Sequence, residues 1–213
     1  MFYIYRSKIT TCAVPRGFER THAMTAPFPH LLPRQSVPEL QVPIVGGRTY
    51  DIRKETPAAF SLVLFYRGFH CPICRTQLKD LDAKIGEFES RGVSVVAIST
   101  DVEERAVMTS LDWQLPHLRI GYGLSLATAR EWGLYISRSR GKTSLGIEEP
   151  DLFSEPALYL VRPDGTLYFG SVQTMPFARP HFSDILGAID YVLKTDYPAR
   201  GEVEATFEPA EAK

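Results

Sequence analysis

The chain has 213 residues, 44% hydrophobic and 23% charged, which suits one domain with tails at roughly 150 residues per domain and lies outside the composition of a globally disordered chain. Twenty-four Lys and Arg against 25 Asp and Glu leave a net charge of -1. Without the basic excess that binding a phosphate backbone requires, nucleic acid is not an expected partner. The apolar run 62–66 stops at Arg67, far short of the about 20 residues of a membrane span, so a bilayer is not an expected partner either.

Residues 1–36 read as an extended N-terminal arm. The first 23 carry Arg6, Lys8, Arg16 and Arg20 against Glu19 and have no continuous apolar core, so a secretory signal is not supported. They read as an unstructured extension ahead of a start at Met24, or as a transit-like leader, and Cys12 within them as an incidental thiol. The expected location is cytoplasmic. From 26 to 43, Pro27, Pro29, Pro33, Pro38 and Pro43 keep the backbone extended, and a turn follows at Gly46-Gly47.

Residues 60–66 form a continuous run of strand formers, as in a strand covered on both faces of a parallel sheet. From 72 to 91, Leu78, Leu81, Ile85 and Phe88 recur at helical spacing among charged residues, predicting one amphipathic helix ended by Gly92. A second buried strand is expected over 93–99, a helix over 102–113, a short strand over 118–122 and a helix over 125–132. The polar stretch 136–155 reads as a mobile surface loop. Residues 157–161 and 166–172 flank Pro163-Asp164-Gly165 as a hairpin, and 182–193 is a closing helix. The redox domain thus spans 37–195, with a loose tail over 196–213.

Three cysteines cannot make a fully paired framework, and a chain of this size does not need staples. Cys71 and Cys74 form a C-x-x-C at the junction of strand and helix. Pro72 suits the first helical position, so Cys71 falls at the N-cap, where free backbone N–H groups and the helix dipole stabilise a thiolate. Cys74 lies one turn on, on the same face. Cys71 is the candidate nucleophile and Cys74 the residue that resolves its oxidised form. Two other readings stand beside this one. The cysteines could be small buried hydrophobes, or half of a zinc site, although no second C-x-x-C exists and His22, His30, His117 and His181 are scattered singly. No metal or cofactor is called for. His70 could tune the thiolate or simply face water.

The run Leu62-Val63-Leu64-Phe65-Tyr66-Arg67-Gly68-Phe69-His70-Cys71-Pro72-Ile73-Cys74 resembles the redox-active segment of peroxiredoxin-like proteins of the alkyl hydroperoxide reductase and thiol-specific antioxidant group. The resemblance continues over 93–100 and 156–166, so it covers about 37–193. It implies an α/β, thioredoxin-like fold: a central mixed β-sheet flanked by helices on both faces, with the peroxidatic cysteine at a helix N-terminus. It also implies that Pro156 is a cis-proline facing the dithiol, and that Arg67 or Arg179 is the arginine beside the thiolate. Where such proteins carry a hydroxyl residue three positions before the cysteine, this chain has Gly68; where they carry a proline seven before, it has Leu64. Arg67, Gly68, Pro156 and Arg179 are therefore the candidate binding positions.

The function implied is a thiol-dependent peroxidase reducing a hydroperoxide. The alternatives are a thiol-disulfide oxidoreductase acting on a disulfide substrate and a non-catalytic redox-fold binding module using the 138–151 loop. A thiol reductant such as thioredoxin, glutaredoxin or glutathione would restore the dithiol, and the chain could pair as a homodimer.

Overall fold

The computed structural model describes residues 31–204. The expectations for 1–30, including Cys12 and the start at Met24, and for the tail beyond 204 lie outside the described residues. In chain order the elements are β1 Gln41–Ile44, β2 Arg48–Asp51, β3 Phe60–Phe65, α1 Pro72–Ala83, α2 Ile85–Glu89, β4 Val93–Ile98, α3 Glu103–Asp112, β5 Ile120–Gly121, α4 Leu126–Glu131, β6 Ile136–Arg138, β7 Leu152–Ser154, β8 Ala157–Val161, β9 Leu167–Val172 and α5 Phe182–Thr195. Among the described residues no helix is long and apolar enough to cross a membrane.

Every residue of β3 is buried, because the strand lies inside a seven-stranded mixed sheet of order β2-β1-β5-β4-β3-β8-β9. It runs parallel to β4, with Phe65 opposite Ile98, and antiparallel to β8, with Phe65 opposite Ala157. Strand alternation divides its side chains between two cores. Leu62 and Leu64 face a core shared with Leu78, Phe88 and Ile189 of α1, α2 and α5. Val63 and Phe65 face one shared with Ala129 of α4, Trp132 and Tyr159. Helices thus cover both faces, as the resemblance implied. A strand wedged between two cores has little freedom, and its C-terminal end, where the dithiol begins, is held rigidly.

Three local expectations are corrected and one, the extended stretch, is filled out. The helix over 72–91 is two helices, since Lys84 leaves helical geometry (φ -107°, ψ 4°) and its N–H turns back to the Leu81 carbonyl at 2.9 Å; Leu78, Leu81, Ile85 and Phe88 still reach one core. The extended stretch through 43 contains a strand, β1, which makes a hairpin with β2 across Gly46-Gly47. Val42 and Ile44 are buried while Gln41 and Pro43 are exposed. The 136–155 segment contains a second hairpin, β6 with β7; Glu149 and Glu155 are buried in it, held by partners distant in sequence. Finally, no cis peptide bond occurs among the described residues, so Pro156 is trans. It precedes β8 and its carbonyl accepts the Gln173 N–H at 2.9 Å, the role of a strand-initiating proline.

Candidate active site

Beyond β3 the chain makes a tight turn, with the Cys71 N–H bonded to the Gly68 carbonyl at 3.1 Å. The Phe69 N–H donates to Asp101 Oδ2 at 2.7 Å, and Asp101, just past β4, pairs with Arg105 at 3.5 Å. Position 68 must be glycine for two reasons. Its φ is +131°, and a β-carbon there would stand 2.6 Å from Asp101 Oδ2. Burial pushes the Asp101 carboxyl upward, against the pull of the Phe69 N–H and Arg105.

Cys71 is extended (φ -95°, ψ 110°) and caps α1, with Pro72 beginning the helix. Its sulfur accepts the Cys74 N–H at 3.3 Å. Both cysteines are free thiols with no solvent exposure. The Cys74 thiol bonding to the Cys71 sulfur is the main influence lowering the Cys71 pKa to about 6; burial opposes it, and the Cys74 N–H, Arg179 and Arg67 add to it. Cys74 is driven the other way, well above the ordinary thiol value, by burial and by the neighbouring Cys71 sulfur. One proton therefore leaves the pair readily and the second is retained.

Arg179 Nη2 lies 3.4 Å from Cys74 Sγ and 3.9 Å from Cys71 Sγ. Its other nitrogens are held by the Pro176 carbonyl at 2.6 Å and by Gln77 Oε1. Arg67 is placed differently. Its guanidinium sits over the Phe153 ring at 4.7 Å and meets Glu149 at 3.4 Å and Glu155 at 3.3 Å. Those carboxylates are completed by the Arg140 N–H at 2.7 Å and the Ser137 hydroxyl at 2.6 Å. His70 is fully buried, its ring packed 4.7 Å from that of Phe153. Burial, with Arg67 and Arg105 nearby, lowers its pKa to about 3, so it is neutral near pH 7 and adds no charge to the thiolate. A cavity of about 510 Å³ adjoins Arg179, walled by Ile73, Gln77, Phe177 and Phe182 among others.

Of the positions singled out in the sequence, the structure brings Cys71, Cys74 and Arg179 into direct contact and puts Gly68 in the turn before them, its carbonyl bonded to the Cys71 N–H. Arg67 acts on Cys71 through its charge rather than by contact. Asp101, Gln77, Glu149 and Glu155 were not singled out. Only Gln77 had a signal, three residues after Cys74 on the same helical face.

A reduced C-x-x-C capping a helix fed by a central strand of a mixed sheet defines a thioredoxin-like thiol oxidoreductase. The AhpC/TSA family model matches residues 33–169, so the chain belongs to the AhpC/TSA family and is a thiol peroxidase. Among solved structures it is similar to a cysteine mutant of peroxiredoxin 6 from Arenicola marina (19% identity, TM-score 0.65, covering 78% of this chain and 76% of that one). It is also similar to AhpC from Mycobacterium tuberculosis (16%, 0.62, 79% and 96%) and to peroxidoxin BcpB from the same organism (16%, 0.60, 76% and 99%). At these identities the likeness establishes the fold. No curated protein matches the chain by sequence.

Proposed function

We propose that Cys71 is the sulfur that attacks the hydroperoxide and that Cys74 resolves the product. The observation that carries this is the asymmetry of the pair: Cys71 caps the helix and its sulfur accepts from the Cys74 thiol and the Cys74 N–H, which favour a thiolate there, while burial and the Cys71 sulfur hold Cys74 protonated; Arg179 reaches both sulfurs. The thiolate attacks the terminal peroxide oxygen; an S–O bond forms, the O–O bond breaks, and the leaving alkoxide or hydroxide takes up a proton. The Cys74 sulfur then displaces water from the Cys71 sulfenic acid, closing a disulfide. A thiol reductant such as thioredoxin, glutaredoxin or glutathione supplies two electrons and two protons to restore the dithiol.

Burial of both sulfurs favours a small oxidant over a folded protein disulfide, which has no exposed sulfur to reach, and on the same ground a small thiol such as glutathione over a folded protein reductant. The test is hydrogen peroxide added to reduced protein, followed by site-resolved mass spectrometry. Wild type should form the Cys71-Cys74 disulfide, Cys74→Ser should stop at sulfenic acid on Cys71 and then over-oxidise, and Cys71→Ser should be inert. Sulfenic acid appearing first on Cys74 would reverse the roles; peroxide leaving both thiols reduced while a model disulfide oxidises them would replace the reaction by disulfide exchange.

A further inference from the structure

A guanidinium presents its donors in a rigid planar fork, so the acceptors around it decide where it points. For Arg179 those acceptors are the Pro176 carbonyl, Gln77 Oε1 and the two sulfurs. The Pro176 bond fixes the side chain only to its own loop; rotation about that bond would carry Nη2 off the sulfurs. Gln77 supplies the link to α1, the element that carries both cysteines. Its position three residues after Cys74 sets its amide one turn along the same face.

Resting on the assignment of Cys71 as the attacking thiolate, we propose that Gln77 is a positioning residue that aims Arg179 at the dithiol while leaving the arginine's charge uncompensated. The comparison with Arg67 shows what is gained. Arg67 is held by two buried carboxylates, which orient it but also balance its charge. Among the described residues no acid forms an ion pair with Arg179; Asp80, on α1 beside the same cavity, is paired with Lys84 instead. A neutral amide oxygen orients the fork as well as a carboxylate would and leaves the full positive field on the sulfurs.

The test separates orientation from charge. The Cys74 thiol and the charges of Arg179 and Arg67 act on Cys71, and Tyr66, just past β3, interacts with Cys74; His70 precedes Cys71 in the loop, Asp101 holds that loop through the Phe69 N–H and pairs with Arg105, Glu149 and Glu155 stand behind Arg67, and His181 lines the cavity beside Arg179. None of these residues is altered in Gln77→Glu, which keeps the acceptor for Arg179 and adds a charge, or in Gln77→Met, which keeps the length but removes the acceptor and so frees Arg179 to turn. Iodoacetamide alkylation of Cys71, resolved by peptide mass spectrometry, is followed from pH 4 to 10, with thermal unfolding in parallel. Gln77→Glu should unfold at the wild-type temperature while its alkylation profile moves up by about one pH unit, making Cys71 about tenfold slower on the acid side of the midpoint. Gln77→Met should move the same way by less. Profiles that superimpose on wild type in both variants would overturn the proposal. Peroxide consumption is measured separately: a wild-type protein that consumes none would overturn the reaction assigned above, and the alkylation profiles would still decide the role of Gln77.

Discussion

Replacing Gly68 by alanine tests the geometry of the catalytic turn with a single methyl group. Two costs follow from the structure. A φ of +131° lies where an L-residue is strained, at about 1–3 kcal/mol. The new β-carbon would also stand 2.6 Å from Asp101 Oδ2, and this carboxylate has nowhere to retreat, being 2% exposed and bonded to the Phe69 N–H at 2.7 Å. Displacing it weakens a charge-assisted hydrogen bond worth about 1.5–3 kcal/mol. Together the expected loss is about 3–5 kcal/mol, which at a urea slope of about 2–3 kcal/mol per molar lowers the unfolding midpoint by about 1.5 M. Urea unfolding of the reduced protein is the assay. Gly68→Thr should be worse, so the hydroxyl that the resemblance expects at this position cannot be restored here. An alanine variant within about 1 kcal/mol of wild type, or a threonine variant that folds normally and oxidises faster, would refute the reasoning.

Arg67→Ala should cost about 3–5 kcal/mol, because it strands two buried carboxylates; a loss under about 1 kcal/mol in urea would show that the pairing is not needed. Arg179→Ala should change stability by less than about 1 kcal/mol but move the Cys71 alkylation profile up from about pH 6 toward ordinary thiol values, and an unmoved profile would remove Arg179 from the site. Under reducing conditions wild type should gain stability over Cys71→Ser as pH rises from 6 to 9. The folded thiol is lowered to about 6, so in that window the unfolded chain binds the extra proton; the gain is fully present above the unfolded value, is lost as pH falls through 6, and reaches about 1–2 kcal/mol by pH 7.5. His70 is common to both proteins and cancels. A difference that is flat in pH would contradict the thiolate assignment.

The parts of the fold legible in the sequence were those whose cause is local. β3, β4 and α5 announce themselves by apolar runs or helical spacing, and the cap at Cys71 by the proline that follows it. The missed elements owe their form to partners far along the chain. β1 carries Pro43 and sits in a proline-rich stretch, yet it is ordered by pairing with β2 and β5. The second hairpin looks like a charged loop because Glu149 and Glu155 read as solvated until Arg67 is seen between them. The expectation of cis geometry at Pro156 came from resemblance alone, and proline before a strand is equally at home in the trans form. Arg179 was named from the sequence as one of two candidates; its 108-residue separation from Cys71 meant that only the folded chain could choose between them.

That choice rests on charge balance. Arg67 adjoins the reactive turn in sequence, and proximity alone would make it the activating cation. Two carboxylates pair with it, however, so what it contributes is a fixed attachment between the catalytic loop and the second hairpin, with a diminished field at the sulfur. Arg179 reaches the dithiol from the far end of the domain and is held by a carbonyl and an amide, neither of which carries a charge. Burial opposes the Cys71 thiolate and the Cys74 thiol bonding to it is the main influence in its favour; a cation whose charge is not already matched adds to that influence. On the reading proposed above, the two arginines divide two tasks: the paired one ties the loop to the second hairpin, and the unpaired one, in contact with both sulfurs, adds its charge to the stabilisation of the thiolate.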